Sequence, residues 1–388
     1  MRLGLDASNL RSGGGLTHLA QMLATADPAA HGFEAVIVWA SRATLARLEE
    51  RPWLLKRHEP LLEHCYPVRA WWQGSRLGRL ARAERCDLLF VPGGAFATEF
   101  RPLVTMSRNM LPFQWRELRR YGCSLTTLRL LLLRGSQSRS FRNASGTIFL
   151  TGYAQTAVRA VSGRLGGQSV IIPHGVDASF LQSERAQRSL EHCRANDPLR
   201  IVYVSIVDLY KHQWHVASAV AQLRSEGLPV SLTLIGPAYP PALRRLRRVL
   251  AQLDPRGEFI RYAGFVEHHE LPARYAAAEL CVFASSCENM PNILLEGMAA
   301  ALPIACSQRG AMPEVLGDAG VYFDPEQPAS IADAVRALAV SVQLRRQLAR
   351  AARERANQFS WTRCARETFG FLASVAAKEG IVRPAAPT

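Results

Sequence analysis

Short apolar runs recur along this chain, and between them apolar residues fall three or four positions apart. A strand period alternating with a helix period predicts an α/β protein with doubly wound parallel sheets. In the first half, strands are expected at Arg2–Asp6, Ala35–Ala40, Leu88–Pro92, Leu103–Ser107, Gly146–Thr151 and Ser169–Pro173. The second half repeats the rhythm at Arg200–Ser205, Leu232–Gly236, Phe259–Ala263, Leu280–Ala284, Ile304–Ser307 and Val321–Phe323. Its helices are expected near His215–Ser225, Leu243–Gln252, Ile331–Leu338 and Gln343–Gln358.

Between the halves, residues 179–198 are polar and charged without strand character, which sets an interdomain connection there. The expected division is a first Rossmann-like domain over residues 1–178, a linker over 179–198 and a second Rossmann-like domain over 199–360. A further helical segment covers 361–380, and 381–388 read as a flexible tail. The length of 388 residues and 48% hydrophobic content suit two cores, since domains commonly hold about 100–200 residues.

The most informative segment begins with the apolar run Leu280–Ala284. Then come Ser285-Ser286-Cys287-Glu288-Asn289-Met290 and Pro291-Asn292-Ile293-Leu294-Leu295-Glu296-Gly297-Met298-Ala299-Ala300. The reading is a buried strand, a polar loop and a helix with Pro291 as its first residue, where a missing N–H costs nothing. Helix N-termini carry unpaired N–H groups and partial positive charge, and ligands of α/β sheets sit beyond the strands' carboxyl ends. Phosphate is therefore the expected guest near Met290, Pro291 and Asn292. Glu296 lies roughly 8 Å along that helix, at about 1.5 Å per residue, so it and Glu288 do not share a proton. Carboxylates beside a phosphate site serve as acceptors for hydroxyls, one for a sugar and one for a ribose.

This Glu-x7-Glu pattern resembles the signature of group 1 (GT4-like) retaining glycosyltransferases with the GT-B fold. The resemblance implies two Rossmann-like domains facing across a deep cleft, with a last helix, here Trp361–Ala377, crossing back to the first domain. It implies that Glu288 contacts hydroxyls of the transferred sugar and Glu296 the nucleotide ribose, with Asn289 to Asn292 beside the donor. Lys211, in Val202-Tyr203-Val204-Ser205-Ile206-Val207-Asp208-Leu209-Tyr210-Lys211, resembles the family lysine that faces the donor diphosphate. The arginine that many relatives place just after this strand is replaced here by Ser205-Ile206. Gly236 and Val266, in Leu234-Ile235-Gly236 and Gly264-Phe265-Val266, resemble strand ends around the nucleotide base. Glu314 reads as a helix N-terminal acid rather than a ligand.

In the first half, Ser12-Gly13-Gly14-Gly15 precedes a helical run. Glycines permit positive φ and close backbone approach, and Gly14 and Gly15 are the expected points of approach to donor phosphate and sugar. Where many relatives carry a histidine, this chain has Arg108-Asn109. Asn109 is expected to hydrogen-bond a sugar hydroxyl or to cap a turn, and Arg108 to hold a phosphate. His174, in Pro173-His174-Gly175, reads as a turn or hinge residue.

The formal charge of +15 is almost wholly arginine, with lysine only at Lys56, Lys211 and Lys378. Between Arg101 and Arg164 the single acid is Glu117, against cations that include Arg108, Arg116, Arg119 and Arg120. Interleaved with Trp115, Tyr121 and Leu130 to Leu133, that region is read as an acceptor-binding surface, an anionic-membrane surface or a solvated basic face. No recognition motif supports nucleic-acid binding. Eight cysteines without metal-type spacing suggest reduced thiols. The N-terminus runs straight into a strand without signal-peptide pattern, and no apolar run approaches the roughly 20 residues of a membrane span. A cytoplasmic chain, peripheral on the inner face of the cytoplasmic membrane, is expected.

Together these features predict a retaining hexosyltransferase using a UDP or GDP sugar and a glycan or lipid-linked acceptor, in bacterial surface polysaccharide biosynthesis. Lys211, Glu288 and Asn109 are its expected catalytic residues. No Asp-x-Asp motif occurs, so no metal or other cofactor is expected. The alternatives are a sugar-nucleotide epimerase or hydrolase on a similar fold, and a non-catalytic sugar-nucleotide or nucleic-acid binding protein.

Overall fold

The apolar runs become strands close to where the pattern sets them. The structure, a computed structural model, describes residues 1–11 and 13–380, so Ser12 and the expected tail 381–388 lie outside the described residues. The described residues divide into two compact units: residues 1–118, 122–175 and 360–380 form the first, and residues 119–121 and 176–359 the second.

The first unit holds β1 (Arg2–Asp6), β2 (Ala35–Ala40), β3 (Leu54–His58), β4 (Leu88–Val91), β5 (Leu103–Met106), β6 (Gly146–Phe149) and β7 (Gln168–Ile171). They form one sheet in the order β3-β2-β1-β4-β5-β6-β7, parallel throughout. The whole of β2 is buried, as an apolar run covered on both faces must be. The pattern missed β3. This strand pairs with β2 at the sheet edge, and its Lys56 and Arg57 are charged residues of the kind that blunt such an edge, so it lacks a strand's apolar signature. Against one face pack Trp39, Trp72, Leu77 and Phe100.

The helix Trp361–Lys378 belongs to this unit. Its Phe369 ring meets Phe33 edge-on at 5.9 Å, and a Cβ on Gly146 of β6 would stand 3.0 Å from Phe371 and Val375. Gly175 is equally constrained. A Cβ there would lie 2.2 Å from the Trp361 nitrogen, so only glycine lets these backbones touch.

The second unit's sheet contains β8 (Leu199–Val204), β9 (Val230–Ile235), β10 (Ile260–Gly264), β11 (Leu280–Phe283), β12 (Ile304–Ser307) and β13 (Val321–Phe323). Its order is β10-β9-β8-β11-β12-β13, again parallel. The order reverses beside β8, between its neighbours β9 and β11, which makes the carboxyl ends of β8 and β11 the switch point where ligands of such sheets bind.

The expected linker is part of this unit. The Arg185 guanidinium donates to the carbonyls of Ala276, Ala278 and Ala300 at 2.6, 2.8 and 3.0 Å. Arg188 forks onto Glu279 at 3.0 and 3.1 Å. Residues 179–198 are polar because they bond to the body of the unit, not because they span a gap. Arg345, wholly buried, donates to the carbonyls of Leu338 and Ala339 at 2.7 and 2.6 Å, a cation at the end of the helix Pro328–Val340.

Candidate functional site

Beyond β8, the loop Ser205 to Lys211 ends in His212, whose positive φ of 53° turns the chain into the helix Gln213–Ser225. This loop is stitched to the one beyond β11. The Ser286 N–H donates to the Tyr210 carbonyl at 2.8 Å, and the Ser286 hydroxyl lies 2.9 Å from His212 Nε2. The Tyr203 hydroxyl holds the Lys211 carbonyl at 2.8 Å. Between the loops the Lys211 ammonium is bonded to Glu288 Oε1, with 4% and 15% of the two side chains exposed. It also sits 5.1 and 5.4 Å from the ring centroids of Tyr210 and Phe283. A cation wedged between aromatic faces is held in place and desolvated.

The helix that follows runs over Asn292–Ala299, with Pro291 extended at the N-cap (φ −82°, ψ 108°) rather than as the first helical residue. The Pro291 carbonyl takes the N–H groups of Leu294 and Leu295 at 3.1 and 3.3 Å, and those of Asn292 and Ile293 precede the helical ladder. Glu296, 6% exposed, projects from the second turn. Its Oε1 is 3.3 Å from His268 Nε2, and its Oε2 is 3.5 Å from the Tyr275 hydroxyl. Burial, and then the Glu296 charge, push the Tyr275 phenol well above its ordinary range, so it stays a neutral donor. The Phe180 ring stands edge-on to both His268 and Tyr275, at 5.2 and 5.9 Å.

Sequence reasoning missed these neighbours of Glu296. His268 follows the expected base-side segment by two residues, and only the pairing of β10 with β9 brings its loop round to the helix. Val266, half-buried, lies in that same loop. Gly236 directly follows β9 with φ at 141°, where an added Cβ would lie 2.2 Å from the Ser205 carbonyl oxygen. Its N–H donates to Gly264 at 2.7 Å, closing the strand ends against one another. Lys211, Glu288, Glu296, Gly236 and Val266 thus all lie in loops or helix starts at the carboxyl edge of one sheet.

Residues 119–121 belong to this unit, although the sequence reading set them in the basic stretch of the first domain. The Tyr121 hydroxyl donates to Asp208 at 2.9 Å, and its ring meets Tyr239 at 5.8 Å. The Arg120 guanidinium is paired with Glu326. Arg120 is therefore a held structural cation, while Arg119 and Arg116 are exposed.

In the first unit, Gly14 and Gly15 lie in the opening turn of the helix Gly13–Ala24 instead of in a loop before it. Arg108 Nη2 donates to the Gly14 carbonyl at 2.6 Å and Nη1 to Gly15 at 3.1 Å, with His18 Nδ1 3.4 Å away. Burial lowers the Arg108 guanidinium to about 10. Burial first, then the charges of Arg108 and His174, hold the His18 imidazole well below its usual value. Asn109 Oδ1 accepts from the Leu111 N–H at 3.0 Å, which makes it a turn cap. His174 stacks on Trp361 at 5.6 Å with ring planes 17° apart, which is a packing role beside the Gly175 crossing.

Residues 198–340 match the family model for glycosyl transferases group 1. That match falls within the second unit. Over 123 residues, 31% of this chain and 32% of the relative, it is 36% identical to the O-antigen chain mannosyltransferase B of Escherichia coli. Over 245 residues, 62% of this chain and 61% of the relative, it is 27% identical to a GDP-mannose-dependent alpha-(1-6)-phosphatidylinositol dimannoside mannosyltransferase of Mycobacterium tuberculosis. The chain thus spans less than two thirds of either relative. The crystal structure of Anabaena Alr3699/HepE in complex with UDP and glucose superposes with a TM-score of 0.70 at 19% identity, covering 96% of this chain and all of that one. With two parallel sheets of seven and six strands among the described residues, this likeness shows the GT-B fold.

Proposed function

We propose that this protein is a retaining, metal-independent hexosyltransferase that moves a sugar from a UDP or GDP sugar to a glycan or lipid-linked acceptor in bacterial surface polysaccharide synthesis. The observation that carries this reading is the Lys211–Glu288 pair at the sheet's carboxyl edge, with Glu296 on the helix that follows. When a diphosphate arrives, Lys211 exchanges its carboxylate for phosphate oxygens, and the first N–H groups of the Asn292–Ala299 helix share the charge. Glu288, released, accepts a hydroxyl of the transferred sugar, and Glu296 accepts from the ribose.

The departing phosphate then takes the acceptor's proton on the face from which it leaves, which retains the anomeric configuration. Leaving-group charge is met by Lys211 and backbone donors, and this supports chemistry without a metal. Asn109 and the Gly14–Gly15 turn are assigned to sugar and acceptor in the same reading. The two relatives are mannosyltransferases by name and one is GDP-mannose-dependent, so GDP-mannose is the first donor to test, with UDP-glucose next. A lipid-linked acceptor places the enzyme peripherally on the inner membrane face.

Calorimetric titration with UDP, GDP, ADP and their sugar conjugates in the presence of a chelator tests the donor. Preferential binding of one nucleotide supports the reading, and absence of binding to all of them rejects it. NMR of the product then reads the anomer, and an inverted configuration rejects retention.

A further inference from the structure

The helix Leu125–Asn143 of the first unit is built inside out. Its buried face carries Gln137, Ser138 and Ser140 beside Leu130 and Phe141. Ser138 accepts from Ser162 at 2.9 Å, and Ser140 accepts from the Phe96 N–H at 2.9 Å. Its outer face carries Leu125, Leu128, Leu131 and Leu132, at 86, 54, 40 and 67% exposure. At 3.6 residues per turn, Leu125, Leu128 and Leu132 fall within an arc of about 60°. Single exposed leucines need no explanation, but a row of them on one helix does. Of the expected run Leu130 to Leu133, only Leu131 and Leu132 are exposed, and Leu125 and Leu128 complete the row.

The charges around the row select its partner. Arg129, Arg139 and Arg142, on the same helix, are exposed. Glu117 is the single acid between Arg101 and Arg164, so that stretch of chain is strongly cationic. A second copy of the same face would bring arginine against arginine. An anionic bilayer offers acyl chains to the leucines and headgroup charge to the arginines.

We propose that the Leu125–Leu132 turns insert among the headgroups of an anionic lipid surface, with the neighbouring arginines giving the preference for anionic lipid. This rests on the reading of a lipid-linked acceptor for its purpose, while the vesicle experiment reads the surface alone. No described helix is long and apolar enough to cross the membrane, so the contact is interfacial.

The experiment is flotation of the full chain with phosphatidylcholine vesicles and with vesicles that also contain phosphatidylglycerol. The wild type should float with the anionic vesicles, and Leu125→Ser/Leu128→Ser/Leu132→Ser should partition at least about tenfold less. Leu132→Trp should float more strongly, since indole favours the interface, and this opposite response separates insertion from misfolding. Arg129→Gln/Arg139→Gln/Arg142→Gln should lose the preference for anionic vesicles. Equal flotation of wild type and serine variant, or no flotation of the wild type, would overturn the proposal. So would a wild-type dimer in light scattering that the serine variant dissolves, which would assign the face to a second copy. Donor titration on the same preparations keeps the two readings apart. Flotation without donor binding rejects the proposed function and leaves the lipid surface standing.

Discussion

Lys211 and Glu288 form an ion pair in which both side chains are more than four-fifths buried. Breaking such a pair leaves an uncompensated charge, at a cost of about 3–5 kcal/mol, whereas replacing both partners is far milder. Lys211→Met should therefore lower the melting temperature markedly, and Lys211→Met/Glu288→Gln should recover much of the loss while remaining inactive. Thermal unfolding of the three proteins measures this. Equal stability of single and double variants would show that the pair is not coupled.

Glu296 and Glu288 should separate binding from turnover. A hydrogen bond to a charged acceptor contributes about 1.5–3 kcal/mol, or roughly 10- to 100-fold in affinity. Glu296→Gln should weaken nucleotide binding by that range, while Glu288→Gln should chiefly lower kcat. Unchanged affinity and rate in both variants would reject the assignment.

Acid should destabilise the first unit through His18. Its imidazole is held neutral by burial, then by Arg108 and His174, whereas in the unfolded chain it takes a proton near pH 6.5. A folded value below the unfolded one means that this contribution is present above about pH 6.5 and lost as pH falls toward the folded value. The slope approaches about 1.4 kcal/mol per pH unit. Denaturant unfolding of His18→Gln between pH 7 and 5 should show a flatter profile than the wild type, and parallel profiles would contradict it.

Asp254 should act in the opposite range. Burial pushes its carboxyl up, but the N–H groups of Phe259, Glu258 and Ile260, at 2.9, 2.8 and 2.7 Å, hold it below the usual carboxylate value. Its contribution is therefore present above the unfolded value near 3.9 and lost as pH falls through the lower folded value. Asp254→Asn should cost about 2 kcal/mol at pH 7, and the gap to wild type should close below about pH 4. A gap independent of pH would show that the carboxylate charge is not what holds β10.

Twelve strands were legible because both faces of a parallel sheet are buried and the runs stand out as apolar. β3 escaped because an edge strand with Lys56 and Arg57 reads as a polar turn. The Glu288–Glu296 segment was legible because a strand, loop and helix start lie together in sequence. His268 and Tyr275 were not, because their approach to Glu296 depends on strand order rather than spacing. The engagement of Arg120 by Glu326 was equally hidden, since 206 residues separate them.

The three residues Arg119 to Tyr121 bear on how such a molecule can be taken apart. The chain passes between its two units at 118/119, 121/122, 175/176 and 359/360. A fragment of residues 176–359 would keep the whole six-stranded sheet yet leave Asp208 without its phenol and Glu326 without its guanidinium. Recombination that swapped this unit between relatives at its two outer borders would inherit a foreign tripeptide. Inheritance of the six-stranded unit as a module therefore requires that Arg119 to Tyr121, which lie far upstream in the sequence, be inherited with it.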